Sequence, residues 1–286
     1  MAEAANSSSG TGTLFIVATP IGNLEDITLR AIRILKETDL IACEDTRQTQ
    51  KLLNHYGIRK RLVSYHLHNE LTRAPELIIE LEQSASVALV SDAGTPVISD
   101  PGHRLVSLCL RHHVAVVPIP GPCAFVSALA ASGLPSDEFR FIGFLPSRSS
   151  ARRKALEQLM HETHTLVFYE APHRVAETLS DALDILGLRP AVLAREVTKI
   201  HEEFLRGTLA ELLAQTSVKP PKGEITLLIG APSEQTMVVD QRQSLKQRVE
   251  QLETEVGLDR KAALKQAARE RGLAKREAYK QLLQER

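Results

Sequence analysis

The chain has 286 residues, 43% of them hydrophobic and 24% charged, and its 35 Lys and Arg balance 35 Asp and Glu. That composition fits a soluble globular protein and leaves any contact with a polyanion to local patches, since the net charge supplies none. No apolar run reaches the roughly 18 residues of a membrane helix, and three scattered cysteines (Cys43, Cys109, Cys123) point to a reducing cytoplasm rather than a disulfide framework.

The leader MAEAANSSSGTGT has neither a basic start nor an apolar core, so residues 1–12 read as a disordered tail and not as a signal peptide. From there short apolar runs alternate with amphipathic stretches. The pattern predicts a strand over Leu14–Ala18, a helix over Thr28–Lys36, a strand over Leu40–Ala42 and helices over Arg47–Tyr56 and Glu70–Glu82. A strand over Val87–Ser91, a helix over Gly102–His113, a strand over Val114–Val117 and a helix over Ala124–Ser132 follow. The second half predicts strands over Phe139–Phe144, Thr165–Tyr169, Ala191–Ala194 and Glu224–Ile229, with helices over Ala151–Met160 and Val175–Leu186. Alternation of this kind implies a largely parallel sheet with helices on its faces, either as an eight-fold barrel or as two doubly wound domains. Two features favour two domains. VVPIPGPCA (116–124) reads as a hinge near the middle of the chain. The extended run Glu202–Leu205 then follows Ala194 too closely for a parallel crossover, which needs a dozen or more residues, so an antiparallel hairpin is expected there.

Beyond about residue 240 the strand signal ends, and Leu245, Val249, Leu252 and Val256 recur at helical spacing. Past Gly257 there are nine Lys and Arg against four acids. A small helical module capped at Gly257, broken at Gly272 and touching RNA phosphates fits that bias, as does a plain solvated surface.

The turns after the strands hold most of the chemistry-bearing residues. ATPIGNLEDIT (18–28) is a tight turn at a strand's carboxyl end, where open α/β sheets bind ligands; as a plain connection it has Asp26 or Thr28 to cap the next helix. ACEDTRQTQ (42–50) offers Asp45 or Thr46 as a cap and Arg47 to a phosphate. In SDAGTPVISDPG (91–102) the small residues permit close approach of a ligand, and Asp92 can accept hydrogen bonds from an amine or hydroxyl. There Asp100 reads as a cap, with Pro101 opening the next helix. PGPCA (120–124) opens another helix, and Cys123 reads as packing rather than as a nucleophile. VFYEAPHR (167–174), AREVTKIHEE (194–203) and KGE (222–224) set further charges at strand ends. LPSRSSARRK (145–154) places Arg148, Arg152 and Arg153 at a helix start, against its dipole, as if for phosphate. No strand is followed by G-x-G-x-x-G, no Walker A sequence occurs, and the histidines lack zinc spacing, so no metal is expected.

Taken in order, ATPIGNLEDIT, EDTR, SDAGTPVISDPG, PGPCA, VFYEAPHR, REVTKIHEE and KGE resemble the tetrapyrrole methylase superfamily over about residues 13 to 232. Within it they are most similar to the branch that methylates a cytidine 2′-oxygen in small-subunit ribosomal RNA at the decoding centre. The resemblance implies two α/β domains, 13–118 and 119–232, with S-adenosylmethionine in the cleft between them, a homodimer, and a small basic helical domain over 240–286. It assigns the cofactor to Thr19, Pro20, Asp92, Ala93, Gly94, Thr95, Cys123, Ala124, Phe168 and Ala194. Val97 stands where the family often has Gly, and Cys123 where it often has Ser. The partner implied is small-subunit ribosomal RNA or the assembled 30S subunit, without a membrane.

Methyl transfer to a ribose hydroxyl calls for alignment and a positioned base. Glu170 is the chosen base, ahead of Glu44, Asp45 and His66, and Arg47, Arg148, Arg152, Arg153 and Arg174 are expected to grip phosphate. With 7 Phe, 4 Tyr and no Trp, an aromatic stacking platform is not expected. Two rival readings remain, a corrinoid-pathway methylase acting on a small tetrapyrrole and an idle RNA-binding protein that keeps the fold.

Overall fold

A computed structural model describes residues 10–232, 244–255, 260–270, 273 and 275–284. Most of the expected leader, the cap at Gly257 and the break at Gly272 lie outside the described residues. The chain divides into two compact units, Met1–Ala231 and Pro232–Arg286.

The first unit holds two separate five-stranded sheets, which excludes the single barrel. In the first, β1 (Thr13–Val17), β2 (Leu40–Cys43), β3 (Arg61–Ser64), β4 (Val87–Val90) and β5 (Ala115–Ile119) run in the order β3-β2-β4-β1-β5. All its pairs are parallel. Successive residues of a strand face opposite sides, so each buried run feeds two cores. Leu40, Ala42, Val87 and Leu89 pack against α3 (Glu70–Glu82) and α4 (His103–Arg111) through Ala74, Leu77, Leu81 and Leu105. Ile41, Cys43, Ala88 and Val90 pack against α1 (Leu29–Glu37) and α2 (Thr46–His55) through Ala31, Leu35 and Leu53. Each such fully buried Leu or Ile contributes about 1.5–3 kcal/mol.

The second sheet comprises β6 (Phe139–Phe144), β7 (Thr165–Glu170), β8 (Pro190–Arg195), β9 (Glu203–Thr208) and β10 (Ile225–Ile229), ordered β6-β7-β10-β8-β9. Only β6 and β7 are parallel, and β8 and β9 form the antiparallel pair expected after Ala194. One face carries Leu166, Phe168, Leu193 and Leu227 under α6 (Ser149–Glu157), α7 (Val175–Leu186) and α8 (Leu209–Val218). The other carries Val167, Val192, Ala194 and Leu228 under α5 (Ala124–Ser132) and Ile21 of the β1 loop.

The sequence pattern passes over β3 and α8. β3 is a four-residue edge strand with one buried side chain. α8 follows β9 directly, and its start is marked by a capping box between Thr208 and Glu211 rather than by a linker.

In the second unit α9 (Leu245–Glu255), α10 (Arg260–Glu270) and α11 (Lys275–Gln284) bury Leu245, Val249 and Leu252 against Ala263, Leu264, Ala267 and Ala278. Among the described residues no helix is long and apolar enough to cross a membrane, and the three cysteines are free thiols.

Candidate active site

Three loops at the carboxyl ends of the first sheet meet beside the second sheet. Residue 19 of the β1 loop and residue 94 of the β4 loop are joined by a backbone bridge. The Thr19 N–H donates to the Gly94 carbonyl (2.9 Å), and the Gly94 N–H donates back (3.0 Å). The buried Thr19 hydroxyl donates to the Ser91 carbonyl at 3.1 Å. Gly94 holds φ +86°, a region that side chains disfavour. The Thr95 hydroxyl then donates to the Pro122 carbonyl (3.2 Å), tying the β4 loop to the turn that opens α5.

These loops and the ends of β7 and β10 enclose a cavity of about 410 Å³. One wall is Asp92, Ala93, Gly94, Thr95, Cys123 and Ala124; the other is Tyr169 to Pro172 and Gly223 to Thr226. Ile21, Ile98, Ser99, Asp100, Phe144 and Val197 complete it. Behind Glu224 an ion-paired lysine ties the second sheet to the β1 loop. The Lys199 ammonium pairs with Glu196 (2.9 Å) and Glu224 (3.2 Å), and its methylenes fill the space a Cβ on Gly22 would take.

Carboxylates crowd the first-sheet side. The Asp45 N–H donates to Asp92 at 3.0 Å. A two-pronged bond from Arg47, with the backbone of that residue, holds Asp45 down to about 2. Burial, then the Asp92 charge, pushes Glu44 above the usual carboxylate range. Burial pushes Asp100 up to about 6, the Ser91 hydroxyl pulls it back, and the charges of Glu44 and Asp92 add to the rise.

Of the residues assigned to the cofactor, Asp92, Ala93, Gly94, Thr95, Cys123 and Ala124 line this cavity. Thr19 and Pro20 are not on its wall, though Thr19 holds the wall residue Gly94 through their bridge. Phe168 does not reach it, because strand alternation turns Phe168 into the core under α7 and brings its neighbour Tyr169 to the wall. Ala194 is fully buried under α5 and is not on the wall either.

Several expectations give way. Glu170 touches the cavity, but its carboxylate is occupied: the Thr178 hydroxyl donates to one oxygen (2.5 Å), the Ala171 N–H to the other (2.8 Å), and Arg174 stands at 3.5 Å. It anchors the start of α7 and is a poor choice of base. Arg152 is 1% exposed and ion-paired to Asp181 and Glu177, so it cannot grip RNA. Arg153 pairs with Asp181 and Asp184, and Arg174 donates to the carbonyls of Leu145 and Pro146. Those cations at the start of α6 answer carboxylates of α7, which a linear reading cannot see. Arg47 and Arg148 remain exposed. Asp100 caps nothing: α4 begins at His103 with Gly102 as its cap residue, and the carboxylate lines the cavity. Thr28 and Asp45 do cap α1 and α2. The Val97 backbone lies at φ +76°, which explains why glycine suits that place.

The sequence also underrated the aromatics. Phe125, Phe139, Phe141, Phe144 and Tyr169 gather beside the cavity, with Phe125 and Phe141 stacked at 4.3 Å and Phe144 5.6 Å from Tyr169. Phe144 is 57% exposed on the lip. Among the described residues no group of three metal-ligating side chains occurs.

Residues 13–213 match the family of tetrapyrrole (corrin/porphyrin) methylases. The chain is similar to the ribosomal RNA small subunit methyltransferase I of Halalkalibacterium halodurans, 52% identical over 94% of this chain and 93% of that one. Its counterpart in Escherichia coli O157:H7 is 44% identical over 100% of this chain and 99% of that one. Among solved structures, the uroporphyrin-III C-methyltransferase of Thermus thermophilus in complex with S-adenosylhomocysteine shares the fold, at 21% identity and a TM-score of 0.54 over 76% of this chain and 97% of that one. The cobalt precorrin-4 methyltransferase does so at 17% identity and a TM-score of 0.57, over 76% of this chain and 94% of that one.

Proposed function

The chain belongs to the tetrapyrrole methylase family, and from that premise we propose that it uses S-adenosylmethionine to methylate small-subunit ribosomal RNA, on the 2′-oxygen of a cytidine near the decoding centre. The observation that carries the reading is the cavity of about 410 Å³, walled by small residues on one side and open at an aromatic lip on the other. A ribosomal substrate, rather than a small tetrapyrrole, is supported by the near full-length similarity to ribosomal RNA methyltransferases. The fold neighbours that act on tetrapyrroles are far more distant in sequence. The same similarity supports a cytoplasmic site of action.

S-adenosylmethionine supplies an activated methyl group when bound. The residues that fit it are the small Ala93 and Gly94, the latter at a φ of +86° that side chains disfavour, together with Asp92, Thr95, Cys123 and Ala124. Asp92 would accept from a hydroxyl or amine of the donor, and Thr95 and Cys123 would flank its apolar part. Walls fixed in this way would hold acceptor oxygen, methyl and sulfur in line, and such positioning can lower a barrier by several kcal/mol. Incubation with labelled methyl donor tests the reading: label in 2′-O-methylcytidine of small subunits supports it, label in a precorrin supports the rival methylase, and label in neither leaves a binding protein.

Two further expectations follow from the surface. Phe144 offers its exposed face to an unstacked base, and such stacking is worth about 1–3 kcal/mol per base. Phe144→Ala is therefore expected to raise the KM for the RNA acceptor roughly 5- to 150-fold with little change in donor affinity, measured by steady-state kinetics and calorimetry. Arg260, Lys261 and Lys265 are exposed on α10. Replacing all three with alanine is expected to weaken RNA binding and to reduce the slope of log K against log salt by about 2–3. A filter-binding series over salt checks it, and an unchanged slope removes the second unit from the RNA contact.

A further inference from the structure

We propose that Asp100 is the proton acceptor for the methyl transfer, a role that rests on the ribose 2′-oxygen being the acceptor. Asp100 lies in the cavity between the small-residue wall of Ala93 to Thr95 and the aromatic lip of Phe144 and Tyr169. Its neighbour Ser99 abuts β6, where a Cβ on Gly143 would stand 3.0 Å from the Ser99 hydroxyl, so the carboxylate's own loop is packed beside Phe144. The carboxylate is not spent on helix capping, because α4 starts past it with no side-chain cap.

The other acids of the cavity are otherwise occupied. Glu170 is bonded to Thr178 and Ala171. Glu224 is paired with Lys199. Asp92 accepts the Asp45 N–H at the donor wall. Burial holds the Tyr169 hydroxyl well above the usual phenol range, so it stays a donor. Asp100 stands on the wall, and burial pushes its carboxyl up to about 6, where a general base both is ionised and accepts a proton effectively. The groups that face it are the charges of Glu44 and Asp92, the Ser91 hydroxyl and Tyr169.

In the step, the ribose oxygen forms its bond to the methyl carbon as the carbon–sulfur bond breaks and its electron pair returns to sulfur. The hydroxyl proton passes to Asp100, which becomes a carboxylic acid and later loses the proton to solvent. One positive charge leaves sulfur and one proton is released, so atoms and charge balance.

The test compares the full chain with Asp100→Asn and Glu44→Gln on small ribosomal subunits, with donor binding by calorimetry and a thermal melt as the check on folding. Wild-type kcat/KM is expected to fall about tenfold per pH unit below about 6, where the carboxylate is protonated, and to level off above it. Asp100→Asn is expected to lose about 10²- to 10⁴-fold in kcat/KM and that acid limb, with donor affinity kept. Glu44→Gln removes a neighbouring negative charge and is expected to move the limb to lower pH, a shift that a merely structural role would not produce. Asp100→Asn that keeps wild-type activity, or that loses donor binding, overturns the assignment, as does a wild-type profile with no limb near 6; these outcomes stand even if one variant folds poorly. Wild-type chain inert on small subunits overturns the ribosomal reading first, and is distinguished by that control alone.

Discussion

Asp181→Ala is expected to lower the stability of the folded chain by about 3–5 kcal/mol, the cost of leaving a buried charge without its partner. Arg152 is 1% exposed, and its guanidinium donates to Asp181 at 2.8 Å, with weaker bonds to Glu177 (3.3 Å) and the Ser147 carbonyl (3.4 Å). Asp181 also receives Arg153 (2.6 Å) and the Ser149 hydroxyl (3.1 Å). Its removal takes one partner from each of three side chains and leaves Arg152 with only the exposed Glu177 and one carbonyl. In a chain of this size the loss corresponds to a fall in Tm of roughly 10 °C. Arg148→Ala, at the exposed residue just before α6, is the control and should leave Tm within about 1–2 °C. A melt of Asp181→Ala that matches the wild type would sink the structural account and reopen this cluster to RNA.

The pH dependence has a definite sign. Burial pushes the Asp181 carboxyl up, but the bonds from Arg153, Arg152 and Ser149 outweigh it and leave it below the usual range. Its stabilisation is therefore fully present above the unfolded value, about 3.9, and is lost as pH falls through the lower folded value. The gap in stability between wild type and variant should close in acid.

Gly102→Val is the second large effect, expected to cost about 2–5 kcal/mol from backbone strain and overpacking together. Gly102 sits at φ +141°, where only glycine is at ease. Even a bare Cβ there would lie 2.7 Å from Val97 Cγ2 and 2.8 Å from Leu89 Cδ2. Leu89 belongs to the core of the first sheet, so relief must come from the loop. That loop carries Asp92 to Asp100, and the variant should lose donor affinity as well as stability. Denaturation and donor calorimetry on the same preparation check both. A stable variant with wild-type affinity would show that the loop yields without cost.

Much of the first unit was legible in the sequence because its signals are local. Apolar runs such as Val87–Val90 between amphipathic stretches mark buried strands, and Thr28 and Asp45 cap the helices that follow them. The spacing after Ala194 forced a hairpin, and β8 and β9 pair that way. The small residues of SDAGTPVISDPG announced a close approach, and Asp92 to Thr95 do line the cavity.

What tertiary structure alone decided is which charges remain available and which rings come together. Arg152 looked like a phosphate grip until a helix 29 residues further on supplied Asp181. Asp100 looked like a cap, yet the chain runs past it before α4 starts and leaves the carboxylate in the cavity wall. Phe168 and Tyr169 are adjacent in sequence, and only the packing of β7 between two layers says which one faces the cavity. The aromatic lip is built from rings on α5, β6 and β7 that are scattered in the sequence. Local periodicity and turn chemistry specify where elements begin and end, whereas burial, ion pairing and proton affinity depend on what other segments bring within a few ångströms.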